Sequence, residues 1–363
     1  MEERDVLFGL MELDGVGWET VQHLVERTKD IREVFDRSAT QILKGIDIIQ
    51  TKGKVIDKFL TNEFIEGKLR FYKDCGVNII TFFDAEYPPL LRYVFRPPWV
   101  LYTLGNVELF QRPSVAIVGT RNPTRYGREV AEWFGYEIAA AGIPVVSGLA
   151  RGIDSCAHAG ALQSTGDTIA VLGNGLNVRY PPEHHRLQRE IEERGLVVSE
   201  YGWNTKPVKG TFPFRNRIIA GLSRGTLVVE ASEKSGTVIT TDFALNFGRD
   251  IFAVPGLITS PKSAGVYKLI REGAKLAITP RDVISEYVSL KDEGRSEGEQ
   301  SKEILTDDEQ EVLQAMGVEA VTVDRLIDLT AYSFGHLHSV LLSLLVKKRI
   351  RALPGSAYIV RMN

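Results

Sequence analysis

The chain has 363 residues, 44% hydrophobic and 25% charged, with a net charge of −3 and two cysteines. At roughly 100–200 residues per domain this length suggests two or three domains, and the composition excludes a disordered chain. Cys75 and Cys156 match no metal or redox spacing. The N-terminus MEERDVLFGL lacks the apolar stretch of a signal peptide, and no run reaches the ~20 apolar residues of a membrane span, so a cytoplasmic protein with reduced thiols is expected.

Residues 1–66 read as a domain of short helices. Leu7, Leu10, Met11 and Leu13 precede Gly15-Val16-Gly17, and Val21, Leu24 and Val25 resume the helical spacing. A Gly-x-Gly between two short amphipathic helices has the form of a helix-hairpin-helix, whose glycines let backbone N–H groups approach a DNA phosphate. An ordinary helical hairpin with a glycine turn has the same pattern. A poorly formed second copy is Leu43-Lys44-Gly45-Ile46.

From 67 to 288, strands and helices alternate. Strands are predicted over Val77–Thr81, Val100–Thr103, Val115–Val118, Val145–Ser147, Thr168–Leu172, Leu196–Glu200, Leu227–Glu230 and Ile251–Val254, with helices over Arg128–Ala141 and Ser155–Leu162. Short apolar runs, several followed by helical stretches, predict an α/β domain: a Rossmann-like, doubly wound, mostly parallel sheet covered on both faces. Residues 289–303 (SLKDEGRSEGEQSKE) read as a solvated linker. In the last segment, 304–363, Thr306-Asp307-Asp308-Glu309 is a capping box, Val323–Leu329 and Phe334–Val346 are helical, and Arg351–Leu353 and Ala357–Val360 flank Pro354-Gly355 as a hairpin. Three helices and a hairpin form a winged-helix pattern, used both for DNA and for protein partners.

The charge is unevenly spread. Arg112 to Lys275 holds 20 Lys and Arg against 15 Asp and Glu, and between Glu200 and Glu230 there is no acid, only Lys206, Lys209, Arg215, Arg217 and Arg224. Such a stripe suits phosphate, although a solvated basic loop gives the same run. In a doubly wound sheet, ligands meet the loops at the carboxyl ends of the strands. Those loops carry Gly119-Thr120-Arg121, Ser147-Gly148-Leu149-Ala150-Arg151-Gly152, Gly173-Asn174-Gly175, Lys209-Gly210-Thr211-Phe212, Ser235-Gly236-Thr237 and Pro255-Gly256. Glycine opens the backbone to an anion, and Arg and Lys complement it. Phe212, between Lys209 and Arg215, either stacks a base or belongs to the core.

Other chemistries fit less well. The first loop lacks G-x-G-x-x-G, so no dinucleotide cofactor is expected. Ser147 and Ser199 lack a nucleophile elbow, and His184-His185 has no third metal ligand nearby. His158 reads as a packed or capping histidine. Asp154 could pair with Glu200, but it reads best as the cap of the helix beginning at Ser155.

Taken together, Val118-Gly119-Thr120-Arg121, Ser147-Gly148-Leu149-Ala150-Arg151-Gly152-Ile153-Asp154, Tyr180-Pro181, Phe214-Arg215-Asn216-Arg217-Ile218-Ile219-Ala220-Gly221-Leu222-Ser223, Glu230-Ala231 with Ser235-Gly236-Thr237, and Ala253-Val254-Pro255-Gly256 resemble the DNA-processing protein A family (DprA/Smf). The motifs run in family order over about 112–277. The resemblance implies single-stranded-DNA binding and protection, loading of the RecA recombinase in natural transformation and recombination, and a homodimer, with single-stranded-DNA-binding protein as a further partner. It implies DNA contacts at Gly119, Thr120, Arg121, Ser147, Gly148, Leu149, Lys209, Gly210 and Phe212, with Arg215 and Arg217 in the basic run. It implies no cofactor, metal or catalytic residue. One departure is Gly265-Val266-Tyr267, where the family usually has a Thr/Cys-Asn pair after the glycine. The alternative reading is a nucleoside monophosphate phosphoribohydrolase-like enzyme, with Glu230 acting beside Ser235-Gly236-Thr237-Val238-Ile239-Thr240-Thr241.

Overall fold

The computed structural model describes residues 1–233, 235–288, 306–316, 321–330, 332–346, 349–353 and 357–360. The chain divides into two compact units, Met1–Asp292 and Glu293–Asn363. The stretch 289–303 and the Pro354-Gly355 turn lie outside the described residues.

The first unit is built on a nine-stranded sheet of β1 (Asn78–Thr81), β2 (Val100–Gly105), β3 (Val115–Val118), β4 (Val145–Ser147), β5 (Thr168–Leu172), β6 (Leu196–Ser199), β7 (Gly225–Val228), β8 (Asp250–Ala253) and β9 (Lys275–Leu276). The spatial order is β1-β2-β6-β5-β4-β3-β7-β8-β9. Every pair from β6 to β9 in that order is parallel, while β2 joins β6 and β1 antiparallel. The mostly parallel Rossmann-like sheet expected from the apolar runs is therefore present, with an antiparallel extension at one end.

Residue alternation sorts the two faces. Val115 and Ile117 pack with Val130, Phe134 and Ile138 of the Arg125–Ala140 helix and with Ile153. Ala116 and Val118 pack on the other side with Ile218, Ile219 and Leu222 of the Thr211–Leu222 helix. Period-2 side chains on a sheet covered by helices produce this division, and each fully buried branched side chain contributes roughly 1.5–3 kcal/mol. A further core joins Val6, Leu7, Phe8 and Leu10 of the first helix, Glu3–Met11, to Val100, Tyr102, Leu172 and Val197 of the sheet. Gly15, at φ +77°, turns the chain between Glu3–Met11 and the next helix, Trp18–Arg27.

The chain leaves β3 towards β4, β5 and β6, and returns through β7 to build β8 and β9 on the other side. Connections from β3 and β7 run in opposite directions, which opens a crevice between their carboxyl ends.

The second unit has helices Asp307–Met316, Val323–Thr330 and Phe334–Val346 and strands Val321–Thr322, Ile350–Leu353 and Ala357–Val360 in antiparallel pairing. Its core includes Val312, Leu326, Leu337, Leu341 and Leu344. The expected capping box is made: Glu309 N–H donates to Thr306 Oγ1 at 3.3 Å and Thr306 N–H donates to Glu309 Oε2 at 2.8 Å. Among the described residues no helix is long and apolar enough to cross a membrane.

Candidate nucleic-acid interface

The crevice between β3 and β7 holds a cavity of about 420 Å³. Its walls come from the loop after β3 (Gly119, Thr120, Arg121), the first turns of the Thr211–Leu222 helix (Phe212, Arg215, Asn216), the start of the Gly236–Asn246 helix, and Asp154. A smaller recess beside it shares Arg121, Ala150, Phe212 and Arg215 and adds Gly148, Leu149, Gly173 and Tyr180.

At the rim, the Arg121 guanidinium lies 5.9 Å from the Phe212 ring centroid. Phe212 also meets Tyr180, ring centroids 5.2 Å apart at 36°. Phe212 is half-buried, lines the cavity and joins none of the apolar cores among the described residues. A methyl group at Gly173 would lie 2.9 Å from Phe212 Cδ1, so the bare glycine lets the ring rest on the backbone. Lys209 and Gly210 are exposed just ahead of the Thr211–Leu222 helix. Arg121 is exposed and, like Lys209, makes no salt bridge among the described residues.

Beneath the rim lies a buried polar layer. Arg215 is 3% exposed. It donates to the Gly148 carbonyl at 2.8 Å, to the Val171 carbonyl, and to Asn216 Oδ1 at 3.1 Å. A methyl group at Gly148 would meet Arg215 Nη2 at 2.5 Å. Burial pulls the Arg215 pKa down to about 10, with Asp154 acting in the opposite direction. Asp154 Oδ2 accepts from the Gly148 and Ala150 N–H groups at 3.1 and 3.4 Å. Burial raises its pKa, and Arg215 and those N–H groups oppose the rise. Leu149, between the two N–H donors, is held at φ +55°, an uncommon conformation for a branched residue and one that clusters at functional sites.

Several expected roles change once the side chains are placed. The helix after β4 is Ile153–Gln163 with Gly152 at its N-cap, so Asp154 lies in the first turn and braces the preceding loop rather than capping the helix. Asp154 and Glu200 do not act as a pair. Glu200 is held bidentately by Arg217, at 3.0 and 2.6 Å, and Arg217 is fully buried with its guanidinium 3.9 Å from the Phe214 ring. Arg217 is thus held in a buried ion pair with Glu200. Ser147 is also fully buried, its hydroxyl donating to the Ile117 carbonyl at 2.6 Å, and Leu149 is 1% exposed. In this turn only backbone groups could meet a ligand. His158 is a packed residue, as one of its two readings held: Nδ1 lies 2.7 Å from Thr168 Oγ1, and the ring is fully buried.

Glu230, the acid required by the hydrolase reading, is turned away from the cavity. Its carboxylate accepts from Thr124 N–H at 2.9 Å and from the Thr124 hydroxyl, at the amino end of the Arg125–Ala140 helix. Negative charge at a helix amino end is a stabilising arrangement, and it occupies both oxygens. Asn216, Ser235 and Gly236 join the walls without having been singled out as contacts; their common signal is a position on a helical turn facing the switch point.

Comparison with known proteins gives a consistent family. Residues 78–288 match the family model of DNA recombination-mediator protein A, and residues 296–356 match the DprA winged helix domain. Protein Smf of Synechocystis is 35% identical over 310 residues, covering 76% of this chain and 78% of that protein. DNA processing protein DprA of Streptococcus pneumoniae is 46% identical over 206 residues, covering 56% and 72%. The X-ray structure of the Streptococcus pneumoniae DprA superposes with a TM-score of 0.68 at 34% identity, over 79% of this chain and 99% of that one. A Helicobacter pylori DNA processing protein A, solved in a study of its single-stranded-DNA binding mode, superposes with a TM-score of 0.53 at 31% identity, over 60% and 96%. With residues 78–288 matched by its family model and Protein Smf 35% identical over 78% of its length, the chain belongs to the DNA recombination-mediator protein A family.

Proposed function

We propose that the protein binds single-stranded DNA along the rim of the β3–β7 crevice and delivers it to a RecA-type recombinase. The observation that carries this reading is the exposed Arg121 guanidinium, in no salt bridge among the described residues, set beside the half-buried Phe212 ring, with Lys209 just ahead of that ring in sequence. Cations hold the backbone, and a free aromatic face accepts any base, so the affinity is sequence-tolerant and salt-dependent. The Helicobacter pylori relative, studied for its own single-stranded-DNA binding mode, supports a strand-binding role. The recombinase, natural transformation, the homodimer and a contact with single-stranded-DNA-binding protein are parts of the same proposal, drawn from the family. So is the division into a helical segment 1–66, a strand-binding domain 67–288 and a winged helix from 304 that serves partners. The hydrolase alternative gains nothing from Glu230, whose oxygens are engaged at Thr124.

The test is fluorescence anisotropy of a labelled oligo-dT against a duplex of equal length, with wild type and Arg121→Ala. Strand binding that is tighter than duplex binding, and at least tenfold weaker in the variant, is expected. Equal affinity of both proteins over a range of salt would remove Arg121 from the interface.

A further inference from the structure

The inner end of the cavity contains donors that the rim contacts do not use. Thr240 is 2% exposed, lines the cavity, and its hydroxyl makes no hydrogen bond among the described residues. It sits four residues after Gly236 on one face of the Gly236–Asn246 helix, and helical side chains tilt towards the amino end. There, among the described residues, the Gly236 N–H also donates to nothing, and no atom lies within 4 Å of where a methyl group would stand on that residue. Ser235 caps the helix through Thr237 N–H at 3.0 Å, which keeps this turn in place. On the facing wall Arg215 spends Nε and Nη1 on Asn216, Gly148 and Val171, and its Nη2, near Asp154, makes no hydrogen bond among the described residues. Donors gathered at a helix amino end favour an anion.

We propose that this inner end is a phosphomonoester subsite: it takes the terminal phosphate of a DNA strand, or the phosphate of a free nucleoside monophosphate, on Gly236, Thr240 and Arg215. The strand-end form rests on the strand-binding reading above; the free-nucleotide form does not. A phosphodiester offers two free oxygens, whereas a phosphomonoester offers three and close to two charges, which matches the convergence of a backbone N–H, a hydroxyl and a guanidinium nitrogen. The volume of about 420 Å³ falls in the range of small-ligand sites, roughly 300–1,000 Å³. Asp154 is the acidic wall of the same cavity; burial raises its pKa, which eases proton uptake when an anion enters.

The experiment uses the full chain in two arms. In the first, internally labelled oligo-dT carrying a 5′-phosphate, a 3′-phosphate or hydroxyls at both ends is compared by anisotropy. In the second, dTMP and thymidine are titrated calorimetrically. A gain of about tenfold for one phosphorylated end, or a tenfold preference for dTMP over thymidine, is expected; the arm that shows it identifies the source. Thr240→Val should reduce the preference to under twofold, while Thr240→Ser, which keeps the hydroxyl, retains it. A preference untouched by Thr240→Val overturns the assignment. Equal affinities in both arms, with hydroxyl-ended strands still bound, overturn the subsite and leave strand binding standing. If no strand binds at all, the strand-binding reading fails and the dTMP arm alone decides the subsite.

Discussion

Two layers of the crevice carry the same residue types in opposite states. At the rim, Arg121 and Lys209 are exposed and free of salt bridges among the described residues. Directly beneath, Arg215 and Arg217 are 3% and 0% exposed and bonded to protein atoms. In the sequence, Lys209, Arg215 and Arg217 belong to one acid-free run with nothing to separate them. What separates them is the partner each one meets. Glu200 takes both terminal nitrogens of Arg217, so that cation serves the fold, while the Gly148 and Val171 carbonyls hold Arg215 in the cavity wall through Nη1 and leave Nη2 for the subsite proposed above. A nitrogen without a protein acceptor is the one that can serve a phosphate.

The largest effect should come from the lower layer. Arg217→Met leaves Glu200, at 11% side-chain exposure, without its cation and with Tyr201 as its remaining polar neighbour. Removing one member of a buried pair costs about 3–5 kcal/mol, while neutralising both partners costs far less. Denaturant melts of Arg217→Met and of Arg217→Met with Glu200→Gln should therefore differ by several kcal/mol, and a single-variant loss below about 1 kcal/mol would contradict a structural role.

The lower layer should also show a pH signature that the rim lacks. The Thr168 hydroxyl donates to the Val145 carbonyl, so His158 Nδ1 must be the donor to Thr168, and its Nε2 is buried without a partner. Burial, with help from His184 and Arg215, holds the ring neutral with a pKa of about 3 against an ordinary 6.5. Below 6.5 the unfolded chain takes up a proton that the folded chain refuses. Stability is therefore present above 6.5 and falls by up to about 1.4 kcal/mol per unit as the pH drops towards 3. Replacing His158 with Leu should flatten that slope in melts between pH 6.5 and 4.5. Strand affinity, carried at the rim by Arg121, Lys209 and Phe212, should stay level between pH 6 and 8. An unchanged slope in the variant would assign the acid sensitivity to other groups.

The division between layers also explains what the sequence could and could not disclose. Val115–Val118, Val145–Ser147 and Thr168–Leu172 are strands with the bounds their apolar runs suggest. The Thr211–Leu222 helix was harder to see, because its two arginines face inward and Pro213 stands near its start. The Gly236–Asn246 helix reads Thr-Val-Ile-Thr-Thr, a β-branched series that favours strands by local preference, and tertiary packing overrides that preference. The strand β9, two exposed residues long, has no periodicity to detect. That Arg121 and Phe212 come together at the crevice was legible because glycines and cations cluster at strand ends. That Arg217 and Ser147 are buried was not legible, since Glu200 and Ile117 reach them only in three dimensions.

Two predictions concern the rim. Arg121→Ala should weaken strand binding by about 2 kcal/mol, lower the salt slope by roughly one, and leave stability near wild type, as expected for loss of one charged contact. A matching loss of stability would place Arg121 with the lower layer. The smaller effect is at Phe212. Stacking one base on an aromatic ring is worth roughly 1–3 kcal/mol, and a leucine keeps much of the apolar contact while losing the flat face. Phe212→Leu should therefore weaken oligo-dT binding about five- to tenfold while keeping the salt slope, because no phosphate contact is removed. Phe212→Tyr, which preserves the face beside Tyr180, should bind within about twofold of wild type. Anisotropy titrations at several salt concentrations separate the cases. If Phe212→Leu lowers the slope as Arg121→Ala does, the ring acts by holding the Arg121 guanidinium 5.9 Å above it. If it lowers affinity at constant slope, the ring is a stacking platform in its own right.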